Sequence, residues 1–313
     1  MAVGAAPDVR EWASVYLKGF FMGSADTVPG VSGGTIALIT GIYERLIAAL
    51  TAIDPATLRD LARPHDPDAR AAVWDQLVRM DLPFLLTLGA GMLTAVVTLA
   101  HALETAVQQY PGPSYAFFFG LIGASAVVLY DQVDVTTPRR LTVAVVGVAL
   151  AAAVTGRTSA GVSHALPALL LAGAVAVCAM ILPGVSGAFL LILLGQYEYM
   201  LGALTEFTGA LGALPGDGTV SAVVAATPPV LVFVLGALAG LLTLARVIDR
   251  ALANYRAATL TFLVSLMVGG LRLPAERVLA AVTADVATVV VAAVVGAALV
   301  LAVDALTDDL EYA

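Results

Sequence analysis

Charge is what this sequence has least of. Asp, Glu, Lys and Arg make up 12% of its 313 residues, against 60% hydrophobic residues, and mean hydropathy is +0.96. A soluble domain carries about 25% charged residues. So few charges cannot coat a globule of this size, so lipid must cover most of the surface. Cysteine is nearly absent. Cys178 stands alone, which excludes an internal disulfide and a thiolate metal cluster. His65, His101 and His164 are scattered without metal-ligand spacing, and no metal site is expected. The chain lacks a GxxxxGK[ST] loop, which weighs against an ATP-driven pump. It also lacks HExxH. No cofactor and no nucleic-acid partner are expected. Lysine is as scarce as cysteine: Lys18 is the only one, beside 14 arginines.

The acids outnumber the bases, 23 to 15. Several fall in loops and the tail: Asp54, Asp60, Asp66, Asp68, Asp308, Asp309 and Glu311. An Asp-rich, Lys-poor surface suits high salt, where screening removes self-repulsion. This points to a halophile; a GC-rich genome favouring Arg and Ala is the alternative. Asp8, Arg10, Glu11 and Lys18 interrupt the N-terminus, so no signal peptide is expected.

What remains is apolar and long. A spanning helix needs about 20 apolar residues. Candidate spans are 82–103, 115–130, 141–155, 230–248, 260–273 and 286–303, with a short surface helix near 69–79. Two more apolar stretches, 12–50 and 166–204, are interrupted. The first contains Pro29-Gly30-Val31-Ser32-Gly33-Gly34, the second Pro183-Gly184-Val185-Ser186-Gly187. Proline removes an N–H and glycine loosens the backbone, so no continuous helix is expected through either. Residues 36–50 would extend about 22 Å as a helix, short of a hydrocarbon core about 30 Å thick. Each stretch therefore reads as two half-helices meeting at a break, re-entrant or bent.

The breaks are copies. Pro29 and Pro183 are 154 residues apart, and the same offset relates Ser32 to Ser186, Gly41 to Gly195, Tyr43 to Tyr197 and Glu44 to Glu198. Later spans repeat more weakly: Leu88-Gly89-Ala90 resembles Leu235-Gly236-Ala237, and Val145-Val146-Gly147 resembles Val294-Val295-Gly296. The expected organisation is two repeats in one membrane domain, 1–157 and 158–313. Each is a broken hairpin plus three spans. Three is odd, so the second repeat enters the membrane inverted, as in many transporters. Arginine placement agrees. With the N-terminus cytoplasmic, inside segments carry Arg10, Arg59, Arg63, Arg70, Arg79, Arg139, Arg140, Arg246, Arg250 and Arg256. Outside loops carry Arg157, Arg272 and Arg277, and the long loop 206–227 has no basic residue. The positive-inside rule then puts both termini in the cytoplasm.

A broken helix in lipid survives only when buried in protein or lining a wet cavity. Half-helices starting after the breaks would point N–H groups inward with partial positive charge. Gly30, Gly33, Gly34, Gly184 and Gly187 would let a ligand approach the backbone, and Ser32, Thr35 and Ser186 add hydroxyls. Such a centre suits a phosphate or carboxylate; two kinks at a packing contact are the plainer alternative. Lys18 either neutralises a bound phosphate or snorkels to the surface. Asp26 either carries a proton or holds Lys18; 154 residues on stands Met180, so the duplicated frame is asymmetric in charge. Tyr43-Glu44 and Tyr197-Glu198 read equally as gate or proton-relay residues and as interfacial anchors and caps.

These residues resemble a known family. Lys18-Gly19, Gly23, Asp26, Pro29 to Thr35 and Gly41-Ile42-Tyr43-Glu44 look like the first signature of the polyprenyl-phosphate transporters. Ile181 to Gly187 with Gly195-Gln196-Tyr197-Glu198 resembles the second; Ala188 stands where many relatives carry serine. The resemblance covers nearly the whole chain. With the high-salt composition it points to a haloarchaeal member. It implies a translocase that returns polyprenyl phosphate, of undecaprenyl or dolichyl type, from the outer to the cytoplasmic leaflet, and not an enzyme. In an archaeon that lipid would feed protein glycosylation. A coupling H+ or Na+ is left open. Two other readings compete: an ion-coupled exporter of a small soluble anion, and an intramembrane lipid phosphatase, which the absence of a histidine beside Ser32 or Ser186 disfavours.

Overall fold

The computed structural model describes residues 9–52, 65–133, 135–158, 163–180, 186–281 and 285–311, and the regular elements among them are helices. α1 (Val9–Thr27) ends just before Pro29. After the break, α2 (Gly33–Ile39) and α3 (Tyr43–Thr51) complete the first broken stretch. α4 is the short polar helix Pro67–Arg79. α5 (Leu82–Gln109), α6 (Pro111–Val128) with a 3-10 turn at its end, and α7 (Pro138–Thr158) follow. The second half begins with α8 (Leu166–Met180), α9 (Gly187–Leu193) and α10 (Tyr197–Ala213). It ends with α11 (Val220–Gly270), α12 (Arg272–Ala280) and α13 (Val286–Glu311). Prolines cluster in first turns, where the missing N–H costs nothing: Pro83 in α5, Pro111 in α6, Pro138 in α7 and Pro167 in α8.

Among the described residues, six segments are long and apolar enough to cross a membrane: 82–109, 111–128, 138–155, 220–241, 254–280 and 286–305. The chain is a multi-pass, all-helical membrane protein.

Two expectations need correction. The broken stretches hold three helices rather than two. Gly41 and Gly195 adopt left-handed φ of +70° and +67°, which glycine alone accepts without strain, and each turns the chain a second time. The bend between α9 and α10 is 114°. The loop expected over 206–227 is mostly helix, because α10 runs to Ala213 and α11 starts at Val220. The spans expected at 230–248 and 260–273 are found as separate segments, 220–241 and 254–280. Both belong to α11, which is two helical arms joined at a non-helical kink at Tyr255 (φ −138°, ψ 38°). Pro228 and Pro229 are accommodated inside its first arm, as membrane helices allow where neighbours re-satisfy the backbone. Pro183 and Gly184 lie outside the described residues.

Helices cross where side chains vanish. α1 packs on α5 and α8 on α11. A Cβ on Gly91 would fall 2.1 Å from Tyr16 O, and one on Gly236 would fall 2.0 Å from Leu170 O. Tyr16 and Leu170 are 154 residues apart, so Gly91 is the counterpart of Gly236. The sequence resemblance through Gly89 is two residues out of register; a Cβ on Gly89 would meet nothing within 4 Å. The last span of each half packs on a middle span of the other, α7 on the second arm of α11 and α13 on α6. Gly147 meets Phe262 O there and Gly296 meets Phe117 O. The two broken stretches share one buried cluster, in which Ala25 and Val31 pack with Ala188, Leu191, Ile192 and Tyr197.

Candidate functional site

The tips of the two broken stretches have one backbone design. Ser32 and Ser186 are both extended, at φ −111°, ψ 125° and φ −96°, ψ 122°, and each starts a seven-residue helix. Ile42 N donates to Ala37 O at 2.9 Å, and Gln196 N to Leu191 O at 2.8 Å. Gly41 N donates to Leu38 O at 3.0 Å, and Gly195 N to Ile192 O at 2.9 Å. Each pair is related by the 154-residue offset. The tips are tied into the bundle: Tyr197 OH donates to Thr27 O at 3.0 Å, and Ser125 Oγ on α6 donates to the carbonyl of Gly30, whose φ is +94°.

They differ in what fills the first turn of the short helix. In the first tip, Gly33 N donates to Asp26 Oδ1 at 2.9 Å. Asp26 is 3% exposed, and its Oδ2 is buried with no hydrogen-bond partner among the described residues. In the second tip Met180 occupies that place, and Phe189 N donates instead to Ser186 Oγ at 3.3 Å. A Cβ on Gly33 would fall 2.3 Å from Asp26 Oδ2, and one on Gly187 would fall 2.7 Å from Met180 Cγ. Both glycines thus admit their own hairpin arm. In the first tip a carboxyl oxygen thus rests on a helix-start N–H, where the backbone dipole favours negative charge.

Lys18 is half-buried on α1. It lies eight residues before Asp26 on an unbroken helix, about 12 Å along the axis, too far for a direct ion pair. Ser32 and Gly34 are buried and Thr35 is half-buried in the first tip. Tyr43 is half-buried, and Glu44 is exposed on the first turn of α3.

The second tip faces a vestibule of about 590 Å³, lined in part by Glu104, His164, Tyr197, Glu198, Glu206 and Arg277. Glu198 is engaged there. It accepts the hydroxyl of Tyr115 and pairs with Arg277 Nη2 at 3.4 Å. The Arg277 guanidinium lies 5.6 Å from the centre of the Tyr115 ring. His164 Nδ1 is 2.9 Å from Gln196 Oε1, and its ring stacks on Tyr199 at 4.2 Å. Glu44 and Glu198 match in sequence, yet of the two only Glu198 lines this cavity. Arg45, next to Glu44, pairs with Asp81 at 2.7 Å and Glu11 at 3.7 Å, none of which lines the vestibule. Tyr115, His164 and Arg277 escape sequence reasoning as a group, because they come from three helix ends far apart in the chain. The one available signal was an arginine in a region otherwise poor in basic residues. Among the described residues no cluster of His, Cys, Asp and Glu is placed to hold a metal.

Comparison with known proteins fits this geometry. A curated relative, the polyprenyl-phosphate transporter of Vibrio cholerae serotype O1, is 36% identical over 266 residues, covering 85% of this chain and 78% of its own. The polyprenyl-phosphate transporter of Staphylococcus aureus is 29% identical over 274 residues, covering 83% and 85%. No solved structure matches the chain. Residues 22–290 match the undecaprenyl phosphate translocase-like family, a match that takes in both hairpin tips and every residue of the vestibule, and the chain belongs to that family.

Proposed function

We propose that this chain carries polyprenyl phosphate from the outer to the cytoplasmic leaflet of the cell membrane, as a transporter and not an enzyme. Its two halves are inverted relative to each other, both termini are cytoplasmic, and the vestibule opens outward. The observation that carries the reading is the buried carboxylate of Asp26 on the backbone of one of two matched tips that meet in a common core. A lipid phosphate crossing a low-dielectric core needs neutralising partners, since an unpaired buried ion costs several kcal/mol. The tips supply them through the backbone at Gly33, Gly34, Gly184 and Gly187 and the hydroxyls of Ser32, Thr35 and Ser186, and Lys18 offsets the charge. Pro29, Gly30 and Pro183 hold the breaks open.

Asp26 keeps the first tip occupied when no lipid is there. A coupling H+ or Na+ that neutralises Asp26 releases Gly33 N–H to the phosphate, which ties lipid movement to an ion gradient. Tyr197 and Glu198 gate the outer side, and Tyr43 and Glu44 the inner. The long hydrocarbon tail stays at the lipid boundary. The test is movement of labelled polyprenyl phosphate between leaflets of proteoliposomes, with and without pH and Na+ gradients. Movement above protein-free vesicles that follows one gradient is expected. No movement, uptake of a soluble anion instead, or release of inorganic phosphate would each overturn the reading.

A further inference from the structure

A second cavity of about 370 Å³ lies where the end of α5 and the starts of α6 and α13 meet. Leu103, Val107, Phe117, Phe118, Val291 and Val295 line it. Two hydroxyls also reach its wall, and both are engaged. Ser114 Oγ donates to Ala106 O at 2.9 Å, and Thr288 Oγ1 lies 3.1 Å from Asp285 Oδ2. The groove offers a guest no free donor and almost no polar surface, so hydrocarbon enters it with the least desolvation cost.

This groove and the vestibule are back to back. On α5, Glu104 and Gln108 line the polar cavity, while their sequence neighbours Leu103 and Val107 line the apolar one. On α6, Tyr115 faces the vestibule and Phe118 the groove. Their rings meet edge-on at 5.8 Å, and Tyr197 meets Phe118 edge-on at 5.7 Å. A partition about one ring thick separates a charged cavity from one that is almost wholly apolar.

We infer that the groove seats the first isoprene units of the lipid while its phosphate waits in the vestibule at Arg277. This rests on the polyprenyl-phosphate reading and deepens it. The occupant is fixed by its chemistry. In a polyprenyl phosphate the charged head joins directly to a hydrocarbon chain, with no polar segment between. That is the profile of two cavities of opposite polarity sharing one thin wall. A glycerophospholipid places two ester groups at the junction, where Phe117 and Phe118 offer them nothing. A groove of this volume is also at the small end of ligand sites, which suits one chain and not two.

The test measures binding of three probes to purified protein: polyprenyl phosphate, methyl phosphate as a head without a tail, and phosphatidic acid. Ala292 lines the groove, and Ala292→Phe fills it; Ala292→Ser is the size control. Ala292→Phe is expected to weaken polyprenyl phosphate at least about tenfold and leave methyl phosphate unchanged, whereas Arg277→Gln weakens both. In a second measurement free of any variant, polyprenyl phosphate with a photoreactive group on its second isoprene unit should label the peptide containing Val291 and Val295. Unchanged polyprenyl-phosphate binding in Ala292→Phe, or labelling elsewhere, would overturn the groove while leaving the substrate intact. Phosphatidic acid bound as tightly as polyprenyl phosphate and equally sensitive to Ala292→Phe would show a groove that takes any chain, against the inference. A wild-type protein that binds no polyprenyl phosphate would overturn the substrate reading, and the groove with it.

Discussion

Replacing Asp26 by Asn changes one atom and removes one charge, and the effects on stability and transport should part company. The Asn oxygen still accepts from Gly33 N, now as a neutral bond worth about 0.5–1.5 kcal/mol in place of a charged one worth about 1.5–3. That loses roughly 1 kcal/mol or a little more. Against it, the variant no longer buries a carboxylate whose Oδ2 lacks a partner, a burden on the order of several kcal/mol. The new amide N–H groups need partners themselves and return about 1–3 kcal/mol of that gain. The terms nearly cancel, so Asp26→Asn should melt within a few degrees of wild type. Asp26→Ala removes the acceptor and strands Gly33 N–H at a cost of about 1–3 kcal/mol. At about 2–4 °C per kcal/mol, it should melt clearly below Asp26→Asn. Transport runs the other way. An amide neither takes up nor releases a proton, so Asp26→Asn should lose gradient-driven movement of labelled polyprenyl phosphate in proteoliposomes although it folds. Wild-type transport that still follows the gradient in Asp26→Asn would refute the role given to the carboxylate.

Gly236→Leu and Gly91→Leu should each abolish stable expression, since a Cβ at either lands about 2 Å from a carbonyl oxygen of the crossing helix and overpacking of this kind costs about 1–3 kcal/mol or more; detergent-extracted yield and a thermal scan check this, and a normal yield of either would show the crossings to be looser than described. Arg277→Gln breaks a half-exposed ion pair worth less than about 1 kcal/mol, so its melting temperature should hold while transport falls; unchanged transport would remove Arg277 from the route. Single cysteines at Arg45 and Arg277, in a Cys178→Ser background, should label with a membrane-impermeant thiol reagent from opposite faces; labelling from one face would contradict the inverted arrangement. Lys18→Gln should reduce lipid binding more than protein level, and equal loss of both would make Lys18 a structural residue.

The duplicated signature around Pro29 and Pro183 was legible because 154 is a property of the chain itself. Matching residues at one offset need no knowledge of packing. The second turn in each tip was hidden although Gly41 and Gly195 were seen to match. A single glycine between apolar runs is ordinary inside a membrane helix, and only its left-handed φ reveals a reversal. The helical join between the two arms of α11 escaped for a related reason. Residues 244–256 carry Arg246, Asp249, Arg250 and Arg256, a density of charge that reads as a loop. There the backbone stays helical and yields only at Tyr255. The register error at Gly89 arose because a Leu-Gly-Ala match is weak by composition in a chain so rich in those residues. The contact with Tyr16 O, which picks out Gly91, exists only once α1 and α5 have crossed. Asp26 was legible as an acid with no partner in the other half, but not its bond to Gly33, seven residues on and across the break.

On the coupling proposed for Asp26, its asymmetry with Met180 sets an accounting limit on transport. The frame is double, but the exchangeable charge at its centre is single, so each turnover couples to at most one ion through this position. One elementary charge crossing 100 mV releases about 2.3 kcal/mol. At 1.36 kcal/mol per factor of ten, that sustains a leaflet ratio of roughly fifty for each net charge moved. An acid in both tips would square that ratio, and would also require two ions to arrive before the lipid could pass. With Met180 in the second tip, the proposed coupling has a lower ceiling on accumulation and calls for only one ion to begin each cycle.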